Sequence, residues 1–203
     1  PRMDDRSLLR YPEGYRFDDL DTGFDWSAWS GASGGLQGAV EMCNNNGACR
    51  KLQGGVMCPS YRVTRNEKDV TRGRANTLRL ALSGKLGRDA LFSEEMAETM
   101  KLCVGCKACQ RECPTGVDMA KMKTEVLHQR GQKLGFSLKD RLIAGLPRHA
   151  RIAAHAGPLF MLRERVPAVA RLAERITGIS ARRSLPRFRR DAFHETEIAA
   201  APQ

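Results

Sequence analysis

The stretch CVGCKACQRECP, residues 103–114, limits what this chain can fold into more than any other. Four cysteines fall at steps of three, three and four residues, and a proline follows the last. Thiolates are soft ligands for zinc, cuprous copper and iron–sulfur clusters. A structural zinc site takes two pairs of ligands separated by a loop that carries the chain round a tetrahedron. Cys103, Cys106, Cys109 and Cys113 are instead crowded together. Their spacing is that of a run in which three thiolates wrap one cubane and the fourth, turned away, serves another cluster. Proline suits the exit, because it fixes φ, lacks an N–H and sends the chain off in a set direction.

Such a run needs a second set of cysteines, and CNNNGACRKLQGGVMCP upstream supplies it. Counting from Cys43, the positions three and six residues on are Asn46 and Cys49, and a Cys-Pro pair follows late, at Cys58-Pro59. The segment reads as a modified repeat with asparagine at the second ligand position and the insertion KLQGGVM before the last. Crosswise pairing gives Cys58 with Cys103, Cys106 and Cys109, a complete four-thiolate [4Fe–4S] site. Cys43, Cys49 and Cys113 are then left without a fourth thiolate. A [3Fe–4S] cluster, a [4Fe–4S] cluster with a non-cysteine ligand and an empty site all stay open there. Seven cysteines favour the first, and Asn46 is too weak a donor to be named a ligand. Gly47, Gly105 and Gly116 would let backbone N–H groups approach sulfide, while Arg50, Lys51, Lys107 and Arg111 could offset anionic thiolates. The four histidines lie outside the cysteine region and lack ligand spacing.

The rest of the chain bounds the class. Its 203 residues suit one domain with flanking segments, and aromatics are only 6%, so burial alone has little to work with. An odd number of cysteines and no visible signal peptide argue for a reducing compartment over a disulfide framework. The expected location is cytoplasmic, or peripheral to the inner face of a membrane, because no apolar stretch approaches the roughly 18–20 residues that span a bilayer. The formal charge of +11 makes an acidic partner plausible. Pro1 suggests a piece of a longer polypeptide.

Periodicity predicts an all-α fold. A helix opens at Thr71 with Ala75, Leu78, Leu82 and Leu86 on one face, and Ser93 caps another that delivers Cys103. Asp118 caps a third, containing Met119, Met122, Val126 and Leu127. Further helices are expected over 137–145, 148–156 and 158–177, bounded by Pro147, Pro158 and Pro167. The expected organisation is a connector over 1–40 that docks through Phe24, Trp26 and Trp29 and ends in SGASGG, the cysteine-bearing module over 41–136, helices packing on it over 137–178, and a basic, polar linker over 179–203. Arg182, Arg183, Arg187, Arg189 and Arg190 read as a solvated cluster, with no nucleic-acid motif beside them.

Residues 41–127, and the two cysteine segments above all, resemble the iron–sulfur region of FAD-linked oxidases fused to a ferredoxin-like module, such as D-lactate and D-2-hydroxyglutarate dehydrogenases. They are also similar to the iron–sulfur subunit of anaerobic glycerol-3-phosphate dehydrogenase and the helical ferredoxin domain of succinate dehydrogenase. PRMDDRSLLRYPEGY resembles the connector after the flavin-binding part. The resemblance implies that this is an α-helical ferredoxin-like module, that a 2-hydroxy acid reduces FAD elsewhere in the parent protein and that clusters here pass electrons to a quinone or an electron-transfer protein. No dinucleotide fingerprint or catalytic constellation is visible, so this segment is expected to carry electrons and not to catalyse. The rival reading is a cluster or zinc ion serving a purely structural role in a basic interaction or nucleic-acid-binding module.

Overall fold

Side-chain caps open three of the described α-helices, at Ser93, Asp118 and Ser137. The structure, a computed structural model, describes residues 10–12, 14–17, 20–29, 34–155 and 157–185. Among them are ten α-helices joined by 3₁₀ turns and loops, and no strand, so the all-α reading stands. The described chain divides into two compact units, meeting in sequence between Gly135 and Phe136.

In the first unit α1 (Gly35–Glu41) and α2 (Pro59–Thr64) precede α3 (Thr71–Leu82). Next come α4 (Glu94–Lys101), the single turn α5 (Ala108–Glu112) and α6 (Met119–Leu134). The Ser93 hydroxyl accepts the Met96 N–H at 3.2 Å, and the Asp118 carboxylate accepts the Lys121 N–H at 3.0 Å. Each cap satisfies one of the N–H groups that a helix start leaves unpaired. Helix α3 is the hub, packing against α1, α4 and α6. Its apolar face, with Ala75, Leu78 and Leu82, meets a core rich in methionine: Met57, Met96, Met100, Met119 and Met122. Unbranched and polarizable, methionine fills irregular space where aromatics are scarce.

The connector is tied to α6 by one buried carboxylate. Glu125 accepts the backbone N–H groups of Gly23 and Phe24, each at 3.0 Å, the Trp26 indole N–H at 3.2 Å and the Gln129 amide at 2.9 Å. Trp26 enters the core, and Trp29 packs against it. Phe24, expected to dock, is 40% exposed, and its backbone N–H makes the attachment to Glu125.

Several boundaries differ from expectation. Helix α3 stops at Leu82, because Gly84 takes a left-handed φ of +72°, and Leu86 falls beyond it, half exposed. Leu127 lies on the exposed side of α6. Helix α1 occupies the end of the segment read as irregular; its glycine-rich entry hides the pattern. Residues 30–33 of SGASGG, 1–9 and 13 of the connector-like segment, and Arg187, Arg189 and Arg190 lie outside the described residues.

The second unit contains α7 (Leu138–Ala144), α8 (Leu146–His155), α9 (Gly157–Arg165) and α10 (Pro167–Thr177). The expected span 158–177 is therefore two helices. Pro167 cannot donate an N–H and pushes Val166 to an extended conformation, φ −116° and ψ 105°, which breaks the run. The Arg163 guanidinium holds the following segment to α9 by donating to the carbonyl oxygens of Ser180 at 2.7 Å and Arg183 at 3.2 Å. No helix of the described residues is long and apolar enough to cross a membrane.

Candidate metal centre

The two cysteine segments share one local architecture. Cys43 lies two residues beyond α1, and Cys103 lies two residues beyond α4. Cys49 is the second residue of the 3₁₀ turn Ala48–Arg50, and Cys109 is the second residue of α5. The loops between hold left-handed glycines, Gly47 at φ +79° and Gly105 at φ +67°. The repeats part company at their ends. Cys58 is itself left-handed, and Pro59 opens α2 at its first position. Cys113 closes α5 in the extended conformation favoured before proline, and the chain turns through left-handed Gly116 towards α6.

One cavity is lined by Cys58, Cys103, Cys106 and Cys109, with Thr71 and Arg74 among its other walls. None of the seven cysteines is in a disulfide; Cys58 and Cys109 are buried, Cys103 is partly buried and Cys106 is exposed. Among the described residues, no three His, Cys, Asp or Glu side chains are grouped closely enough to hold a single ion. The thiols instead surround a volume. That fits a cluster, whose irons and sulfides keep thiolates apart, better than a tetrahedral zinc site with its short metal–sulfur bonds.

Burial pushes the Cys58 thiol up, against the Thr71 hydroxyl and N–H and the Arg74 charge, which favour the thiolate. Cys109 is likewise raised by burial, opposed by the N–H groups of Met119 and Ala120. Metal binding must displace protons from such groups, so loading is coupled to deprotonation.

At the other group, burial pushes Cys49 up to about 11; the Arg72 N–H opposes this, while the neighbouring Cys58 and Cys43 add to it. The 3₁₀ turn carrying Cys49 packs against α5, whose C-terminal cap is Cys113. Burial works against the Cys113 thiolate too. Here the Thr115 hydroxyl and the N–H groups of Val117, Thr115 and Gly116 prevail and hold the thiol below its usual range. Asn46 is engaged in its own turn, its side-chain oxygen accepting the Ala48 N–H at 2.8 Å.

Of the cations expected near the thiols, Lys107 lines the cavity. Arg50 is taken up by Tyr61 and Glu67, and Lys107 lies 3.9 Å from Asp118. Arg72 and Arg74, both on α3, act on the sulfurs as well. Sequence reading missed them because TRGRA looks like the polar start of a solvated helix. Arg74 is buried, donating to the carbonyl oxygens of Thr99 at 2.9 Å and Asp69 at 2.7 Å.

An all-helical fold in which Cys58 of the upstream repeat meets Cys103, Cys106 and Cys109 of the downstream one around a cavity is the arrangement an iron–sulfur domain requires. Residues 39–117 match the 4Fe-4S dicluster domain family. The chain is similar to the D-2-hydroxyglutarate dehydrogenase of Escherichia coli (strain K12), 28% identical over 178 residues that cover 70% of this chain and 17% of the relative. The enzyme of the same name from Pseudomonas putida (strain KT2440) is 29% identical over 177 residues, 70% of this chain and 17% of the relative. A protein of Bacillus subtilis (strain 168) named "Probable glycolate oxidase iron-sulfur subunit" is 30% identical over 87 residues, 42% of this chain and 19% of the relative. The chain thus spans less than a fifth of the length of these relatives. No solved structure matches it. The resemblance to the iron–sulfur region of FAD-linked oxidases agrees with these relatives, and nothing among them supports a structural zinc or nucleic-acid role.

Proposed function

We propose that Cys58, Cys103, Cys106 and Cys109 hold a [4Fe–4S] cluster, that Cys43, Cys49 and Cys113 hold a second cluster, and that the chain relays electrons from a flavin to a downstream acceptor. The observation that carries this is the single cavity in which a cysteine of the upstream repeat joins three of the downstream one. When bound, such a cluster takes up and gives back one electron at a time. The protein's part is to hold the thiolates, offset their charge through Thr71, Arg72 and Arg74, and keep most of the site away from water. Cys106 and Val104, which is 70% exposed, are where the first site comes nearest to solvent, and a partner would approach there. For the second site a [3Fe–4S] cluster fits best, with three thiolates and an Asn46 side chain already occupied.

The names of the relatives support a 2-hydroxy acid as the ultimate electron source, oxidised by an FAD-containing part of the parent protein. A quinone or an electron-transfer protein fits as acceptor, and a cytoplasmic location, or one against the inner face of a membrane, fits the reducing chemistry. Anaerobic reconstitution of cysteine variants followed by EPR tests the ligation. Cys58→Ser and Cys103→Ser should lose the same signal, and Cys113→Ser the other. Loss of one signal in Cys103→Ser and Cys113→Ser, with Cys58→Ser unaffected, would overturn the crossed arrangement. In the parent protein a D-2-hydroxy acid should bleach flavin and cluster absorbance. Cys106→Ser should spare flavin reduction and slow delivery to the acceptor; undiminished turnover in a cluster-free variant would make the cluster structural.

A further inference from the structure

Helix α3 begins where the two thiol groups come together. Its first residue, Thr71, brings its N–H to 3.1 Å and its hydroxyl to 3.0 Å from the Cys58 sulfur. The next residue, Arg72, directs its N–H at Cys49, and its guanidinium reaches the upstream loop, 3.5 Å from the Asn45 carbonyl oxygen. Two residues further on, Arg74 is buried in the wall of the Cys58 cavity. Consecutive residues of one helix turn thus address sulfurs that the ligation proposed above assigns to different clusters.

We infer that the first turn of α3 sets the reduction potentials of both sites through separate residues, Thr71 acting on the Cys58 group and Arg72 on the Cys49 group. The inference rests on the crossed ligation. Reduction adds one electron, and so one negative charge, to a site already bearing anionic thiolates; no proton moves and no bond is made. A donor or cation beside a thiolate stabilises the more negative level more strongly, which raises the potential. The helix N-terminus adds its partial positive charge at both sulfurs. Part of the Arg72 charge is spent on Glu67, 2.7 Å away, so its effect on the second site is the smaller one. Thr71 has no charged partner and is buried, which keeps its hydroxyl on the sulfur.

The test is a potentiometric titration of the reconstituted chain with dithionite and mediators, followed by EPR. Signals are first assigned with Cys58→Ser and Cys43→Ser. Thr71→Val keeps the volume and the N–H but removes the hydroxyl. It is expected to weaken one-electron reduction of the Cys58 cluster about tenfold, a fall of about 59 mV, and to leave the other cluster in place. Thr71→Ser should restore the wild-type value, and Thr71→Ala should reproduce the loss if the valine variant fails to load. Arg72→Gln is expected to move the other cluster alone, in the same direction and by less. Equal movement of both clusters in either variant, movement of neither, or a Thr71→Ser shift as large as that of Thr71→Val overturns the inference. A chain that loads one cluster only overturns it as well. Separate signals lost in Cys58→Ser and Cys103→Ser would instead sink the ligation beneath it, whatever the potentials do.

Discussion

The carboxylate of Glu112 accepts the backbone N–H of Val56 at 2.8 Å and, beside it, that of Met57 at 3.2 Å. Glu112 immediately precedes Cys113 and Met57 immediately precedes Cys58, so one side chain joins the Cys-Pro ends of the two repeats. The insertion in the upstream repeat makes this possible, since it carries the backbone donors past α5.

The approach depends on glycine at position 55, where φ is +59° and a Cβ would lie 2.4 Å from the Glu112 Oε2 atom. Gly55→Ala is expected to cost about 1–2 kcal/mol from the left-handed backbone alone. It should also displace Glu112 and lower iron occupancy at the Cys58 site. Denaturant melts and iron per chain check this, with Gly54→Ala as comparison, because Gly54 has φ +67° but nothing within 4 Å of an added Cβ.

Glu125 gives the connector an acid limit. Burial works against its charge, but the Gln129 amide, the N–H groups of Gly23 and Phe24 and the Trp26 indole outweigh it and hold the carboxyl below its usual value of 4.5. A depressed carboxylate contributes its full stability above the unfolded value, and that contribution is lost as pH falls through the folded one. Urea melts followed by Trp26 fluorescence should show this loss below about pH 4.5 in the wild type and not in Glu125→Gln. At neutral pH the glutamine variant should be less stable by about 1–3 kcal/mol, as its amide meets backbone donors with donors.

Gly73, on α3, is pressed against the preceding turn: a Cβ would meet the Glu67 carbonyl oxygen at 1.9 Å. Gly73→Ala is expected to cost about 3 kcal/mol and to shift the start of α3. Because Thr71 and Arg72 go with it, iron content should fall at both sites together, measured against total protein.

Asn46→Cys puts a thiol where the upstream repeat lacks one. If the second site holds three irons, the variant should take up a fourth, and the EPR signal of the oxidised three-iron cluster should disappear. Iron analysis should rise by one per chain. A variant with unchanged iron and signal would show that the loop, whose Ala48 N–H loses its Asn46 acceptor, cannot turn the new thiol inward.

What the sequence makes legible is local. Cysteine spacing, the Ser93 and Asp118 caps and the prolines act within a few residues, so their consequences can be read in order along the chain. Arg74 could not be read that way, because its carbonyl partner Thr99 lies on α4. Nor could Glu125, whose partners at Gly23 and Phe24 are about a hundred positions away. A buried charge looks like a surface charge until the fold supplies its donors. Nearness in sequence was a mixed guide: Lys107 does line the cavity of Cys58, Cys103, Cys106 and Cys109, whereas Arg50 is engaged by Tyr61 and Glu67.

The meeting of Cys58 with Cys103, Cys106 and Cys109 has a consequence in polymer terms. The metal-free chain must close a loop of some 45 residues between Cys58 and Cys103, and a permanent link across such a loop removes about 4 kcal/mol worth of unfolded-chain entropy. A bound cluster would be such a link, with four points of attachment instead of two. It would fasten the end of the first repeat into the body of the second, so that neither could unravel without the other.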